Sequence, residues 1–217
     1  MKRPGPLLTL LAGLVLGLVM LSLNATTGTK NTSSAQQKES PSPVPTKTVV
    51  PASPTSTPTL TPVPDADYAG RTDDDSSAIA VSVKDGKAIA YFCDGRTKES
   101  WLKGDVANDG TMRLTGKNGA ELNGTLKEGK RIRGTVDVGG GHYAFTADKA
   151  KKPSGLYRAT ATVRGAKIDG GWIVLRDGSQ VGILTRDGDP SAAPEIDPET
   201  GAVTVDGQQL TARPVTP

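Results

Sequence analysis

Hydrophobic positions along this chain fall into three successive rhythms. From Leu7 to Leu23 the residues are uncharged, and only Thr9 and Ser22 are polar. At 1.5 Å rise per residue, such a run sits at the short end of what a helix needs to cross a hydrocarbon core. From Asn24 to Asp67 there is no aromatic residue and few large aliphatic ones. From Tyr68 onward the apolar residues return as short runs of period two, separated by tight-turn signals. Period two places alternate side chains on opposite faces of a strand.

The third region predicts an all-β fold. Ile79 to Val83 alternates apolar and small residues, Asp85-Gly86 turns the chain, and Ala88 to Cys93 returns. Asp-Gly between two such runs favours a hairpin, because a type I′ turn needs positive φ at both central residues. Further turns are expected at Asn108-Asp-Gly110, Asn118-Gly119, Glu128-Gly129, Gly139 to Gly141, Asp177-Gly178 and Asp206-Gly207. No stretch of this region sustains a 3.6-residue period. Strand-plus-turn units of about ten residues suit an antiparallel sandwich or barrel.

A second regularity lies over the first. Leu102-Lys-Gly-Asp-Val106, Leu122-Asn-Gly-Thr-Leu126 and Ile132-Arg-Gly-Thr-Val136 share the form aliphatic-x-Gly-x-aliphatic, and Met112 to Gly116 is a looser copy. The aliphatic residues and the glycines point inward, while Lys103, Asn123, Thr125, Arg131 and Arg133 point outward. Glycine at the centre of an inner face marks sharp coiling or close backbone approach. Successive copies predict a small, strongly curved up-and-down sheet that closes or nearly closes. Tyr157, Ala159, Ala161 and Val163 alternate with polar residues as a half-buried strand. Gly171 to Leu175 is continuously apolar and reads as a central strand. Pro190 to Thr200 reads as a loop, and Ala202 to Ala212 as a last hairpin.

Composition sets the compartment. Lys2 and Arg3 precede the apolar run, so the positive-inside bias exports the chain beyond it. The run is long for a cleaved signal, and cleavage after Ala25 would put the bulky Leu23 at the −3 position. An uncleaved anchor is therefore expected, with secretion after cleavage as the alternative. Half of the 16 prolines lie between Pro41 and Pro64, interleaved with Ser and Thr. That composition favours an extended, disordered stalk reaching on the order of 100 Å. The expected organisation is a cytoplasmic leader (1–6), a transmembrane helix or signal segment (7–23), a disordered Pro/Ser/Thr-rich stalk (24–65) and an extracytoplasmic β domain (66–213).

Tyr68-Ala-Gly-Arg71, Ala90-Tyr-Phe-Cys-Asp-Gly95, Trp101-Leu-Lys-Gly104, Gly155-Leu-Tyr-Arg158 and Gly171 to Gly182 carry a resemblance. Over residues 68–212 the chain resembles an uncharacterised group of actinobacterial secreted or membrane-anchored β-rich proteins. The resemblance implies a compartment and domain limits but no activity and no site.

The chemistry-bearing residues are few. His142 is the only histidine and Cys93 the only cysteine, so neither a Ser/His/Asp device nor a usual zinc set is visible. His142 is expected to be exposed, on the face opposite Tyr143 and Phe145. Cys93 shares an apolar face with Ile89 and Tyr91 and reads as a buried, inert thiol. Asp73-Asp-Asp75 reads as a solvated acidic turn. The formal net charge of +3 is mild and mixed along the chain. Lys127, Lys130, Arg131 and Arg133 cluster at one turn, and export argues against nucleic acid as a partner.

The expected function is a membrane-anchored, non-enzymatic extracytoplasmic β domain that needs no cofactor. Its expected partners are the cell membrane, through residues 7–23, and a cell-wall polymer or envelope protein. Trp101, with Arg96, Lys98 and Lys103, is the expected contact region, because Trp101 falls on the face opposite Leu102 and Val106. Two alternatives differ in class. One is a small barrel carrying an apolar ligand in space left by Gly104, Gly124 and Gly134. The other is a cell-envelope enzyme, whose paired carboxylates would be non-local in sequence.

Overall fold

The computed structural model describes residues 62–217. The leader, the apolar run at 7–23 and the stalk up to residue 61 lie outside the described residues. Among the described residues, no helix is long and apolar enough to cross a membrane.

Eight strands form a closed antiparallel barrel: β1 (Ala66–Thr72), β2 (Ala78–Lys84), β3 (Lys87–Cys93), β4 (Glu99–Val106), β5 (Thr111–Gly116), β6 (Glu121–Lys127), β7 (Arg131–Val138) and β8 (Gly141–Lys149). Each strand pairs with the next, and β1 closes on β8 from Tyr68↔Lys149 to Thr72↔Phe145. This is the up-and-down meander expected from the sequence. The β2–β3 turn has Asp85 at φ 50° and Gly86 at φ 72°, the doubly positive geometry that Asp-Gly favours. A tight turn at Lys117–Gly119, with Asn118 at φ 55° and Gly119 at φ 74°, joins β5 to β6.

The barrel interior is filled by Tyr68, Ile79, Val81, Phe92, Leu102, Leu114, Leu122, Ile132, Val136 and Phe145, each at most 2% exposed. The glycines of the repeat serve closure. A Cβ on Gly104 would lie 2.3 Å from the Arg113 carbonyl oxygen, and one on Gly134 would lie 2.1 Å from that of Asn123. Neighbouring backbone occupies the space at these two positions. The glycines therefore give no support to a ligand cavity, and coiling explains them.

The remaining strands form a separate layer. β9 (Gly155–Val163), β10 (Ala166–Val174), β11 (Gln180–Arg186), β12 (Asp189–Ala192) and β15 (Arg213–Pro214) make a five-stranded sheet in the order β12-β11-β10-β9-β15. The hairpin β13 (Ala202–Val205) and β14 (Gln208–Thr211) packs on one face of it. Trp172 lies on that face, and its Nε1–H donates to the Pro194 carbonyl at 2.7 Å. Residues 190–192, expected as part of a loop, belong to the edge strand β12 instead. An edge strand needs no ladder N–H on its outer side, so Pro190 is tolerated there.

The opposite face of the sheet covers part of the barrel. Leu156, Ile173, Leu175 and Ile183 pack on Ala69, Ala78, Ala80, Tyr91 and Cys93, which point outward from β1–β3. This explains why β2 is buried on both faces and carries small outward residues: Ala78 and Ala80 let the second sheet approach closely.

Candidate functional site

The second sheet covers β1–β3 and reaches Trp101 on β4, and beyond Trp101 the outward residues of β4–β7 from Lys103 onward form a polar run of barrel wall. The antiparallel register arranges these residues in rows. Lys103 lies opposite Thr115, and Thr115 opposite Glu121. Asp105 lies opposite Arg113, Arg113 opposite Asn123, and Asn123 opposite Thr135. Thr111 lies opposite Thr125, and Thr125 opposite Arg133.

These rows border an open groove of about 910 Å³. Its lining includes Lys103, Arg113, Asn123, Thr125, Arg133 and Thr135, together with the backbone at Gly104, Gly124 and Gly134. The close strand approach at the inward glycines and the groove outside them occupy the same strands.

Three carboxylates around this wall have cation partners. Asp105 pairs with Lys87, and Asp148 with Arg131. Glu121 meets Arg113 at 2.6 Å and accepts from the Asn123 amide at 2.7 Å. Both contacts hold the Glu121 carboxyl below the ordinary range, the Asn123 hydrogen bond most strongly. Asp137 lies 2.6 Å from Nδ1 of the exposed His142. Among the described residues, Lys103 and Arg133 have no carboxylate within ion-pair distance.

Trp101, two residues before Lys103, faces the junction with the second sheet. It is half-buried, its ring centroid lies 4.3 Å from that of Tyr91, and the Arg158 guanidinium sits 4.6 Å from the ring centroid. Arg158 is held in turn by Asp169 through two hydrogen bonds of 2.9 and 2.6 Å. The Tyr91 hydroxyl donates to Glu99 at 2.7 Å. Burial pushes the Glu99 carboxyl above its ordinary range, and Asp169 adds to the rise against the opposing pull of the Tyr91 hydrogen bond and Arg158. Gly171 fits the corner: a Cβ there would lie 2.6 Å from the Tyr91 ring and 2.8 Å from Trp101.

The expected contact residues are thus divided among three places. Lys103 lines the barrel groove, and Trp101 is engaged with Tyr91 and Arg158. Arg96 and Lys98 line a different cleft of about 380 Å³, with Asp75, Asp94 and Tyr143. Burial works against ionisation of Asp94, but the backbone N–H groups of Lys98, Arg96 and Thr97 hold its carboxyl below the ordinary range and fix the turn. Lys98 Nζ donates to the Tyr143 hydroxyl at 2.7 Å.

Arg113 is a groove residue absent from the contact region expected from sequence. The loose repeat copy, Met112 to Gly116, gives it the same outward parity as Lys103 and Arg133, and that parity is the signal that could have found it. Cys93 is buried, and desolvation pushes its thiol up to about 12. Among the described residues, no cluster of three or more His, Cys, Asp or Glu is placed to hold a metal ion. No family model, curated protein or solved structure matches this chain.

Proposed function

We propose that this protein is a membrane-anchored, non-enzymatic binding domain that holds a cell-envelope component against the outside of its barrel. Two kinds of support converge. The leader and apolar run at 7–23 argue for anchoring with the β domain outside, and the resemblance to actinobacterial secreted or anchored proteins agrees with that compartment. The groove on β4–β7 offers an accessible polar surface, and this observation carries the functional reading. Trp101 belongs to the frame beside it: the stack with Tyr91 and Arg158 positions β4 against the second sheet, and Lys103 comes next on the same strand face.

Co-sedimentation tests the proposal. Purified full-length protein in detergent is mixed with insoluble envelope material from the producing cell and centrifuged. Wild type is expected in the pellet, and Lys103→Glu/Arg133→Glu in the supernatant. Equal pelleting of both removes the groove as the site. Failure of wild type to pellet removes the binding function.

A further inference from the structure

The arrangement of charge in the groove says what kind of envelope component fits it. We infer that the occupant is a linear polyanion bearing phosphate groups, laid diagonally across β4–β7; this rests on the binding role proposed above.

The cations step across the wall in one direction. Lys103 on β4, Arg113 on β5 and Arg133 on β7 occupy three successive rows of the register. Strands about 4.8 Å apart and same-face residues about 6.7 Å apart put roughly 8 Å between the first two and about 12 Å between the last two. The whole diagonal is on the order of 20 Å, a length suited to several repeat units of an extended chain.

The balance of charge favours an anion. Asp105, Glu121 and Asp137 each have a cationic or histidine partner, whereas Lys103 and Arg133 have no carboxylate within ion-pair distance among the described residues. The residues flanking the diagonal, Thr115, Asn123, Thr125 and Thr135, carry hydroxyl or amide donors that match the several acceptor oxygens of a phosphate.

The same lining argues against other polymers. No aromatic side chain lines the groove, so neither a neutral sugar ring nor a nucleobase has a surface to stack on.

Three probes are titrated into full-length protein in detergent: inorganic polyphosphate, neutral dextran of similar length, and oligothymidylate of similar charge. Polyphosphate is expected to bind, with log K falling against log salt at a slope of about −1.4, as expected if Lys103 and Arg133 neutralise about two phosphates on a single strand while Arg113 stays paired with Glu121. In Lys103→Ala/Arg133→Ala the affinity is expected to fall at least tenfold and the slope to weaken toward zero. Lys84→Ala/Lys167→Ala removes the same charge from other exposed positions and is expected to change affinity less than twofold. Equal losses in the two double variants would overturn the diagonal. So would dextran binding as tightly as polyphosphate, or oligothymidylate binding ten times more tightly. If envelope material still sediments the protein while polyphosphate does not bind, the polyanion is wrong and the binding role stands. If neither binds, the binding role itself is lost.

Discussion

Single residues carry opposed constraints at the junction of barrel and sheet. Glu99 is desolvated, lies near Asp169 and accepts a hydrogen bond from Tyr91. Burial and Asp169 outweigh the opposing Tyr91 hydrogen bond and Arg158, so its folded-state affinity for a proton exceeds that of the unfolded chain. For an acid raised in this way, the folded state holds more protons, so stability falls as pH rises from the ordinary glutamate range through the folded pKa. Glu99→Gln keeps an oxygen for the Tyr91 hydroxyl and removes the charge. The variant is expected to melt at a higher temperature than wild type at pH 7, with the difference vanishing near pH 3. A wild-type advantage at pH 7 would contradict this account of Glu99. Gly134 is constrained by space: its Cβ position lies 2.1 Å from a neighbouring carbonyl oxygen. At Gly124 the nearest atoms are the Ile132 and Met112 side chains, at 3.2 and 3.3 Å. Gly134→Ala is expected to cost about 2 kcal/mol or more, and Gly124→Ala less than about 1 kcal/mol, in urea unfolding. The inward parity of both glycines is legible in the repeat. The difference between them is not, because it depends on how tightly the neighbouring strand crosses.

At the scale of elements, hairpins are the most legible feature. Asp85-Gly86, Asn118-Gly119, Glu128-Gly129 and Asp206-Gly207 all adopt the doubly positive φ that their sequences favour. Arg164-Gly165 and Asp187-Gly188 do the same, although neither pair is among the turns expected from sequence. Tight approach of paired strands imposes that geometry even where the first residue is Arg. The closure of β1 on β8 is legible only as a tendency toward curvature, since Tyr68 and its partner Lys149 are far apart in sequence. The partition into a barrel and a five-stranded sheet is not legible. Its signal, small residues on the outward face of β2, also fits an ordinary half-exposed strand. That shared face predicts cooperative behaviour, because Ile173 is fully buried where the two layers meet. Ile173→Ala is expected to cost about 2–5 kcal/mol. The loss should appear at the same urea midpoint by tryptophan fluorescence, which reports the second sheet and the junction, and by far-UV circular dichroism, which reports all strands. Separate midpoints would show that barrel and sheet fold independently.

The whole described region divides labour between its two sides. One side of the barrel is sealed by the second sheet, through Leu156, Ile173 and Ile183. The other carries the polar groove. Sequence parity places Lys103, Asn123, Thr125 and Arg133 outward, but only the register joins them into one surface and sets Arg96 and Lys98 apart from it. Trp101 reads from sequence as an outward aromatic free for contact. Its engagement depends on Arg158 and Asp169, which come from distant segments and leave no mark near it in the chain. The most direct measurement of the central claim is a lysine-acetylation footprint on full-length protein, with and without envelope material. Groove occupancy predicts that labelling of Lys103 slows at least fivefold while Lys84 and Lys167, exposed elsewhere, are unchanged. Protection of Lys84 and Lys167 with Lys103 still freely labelled would contradict it.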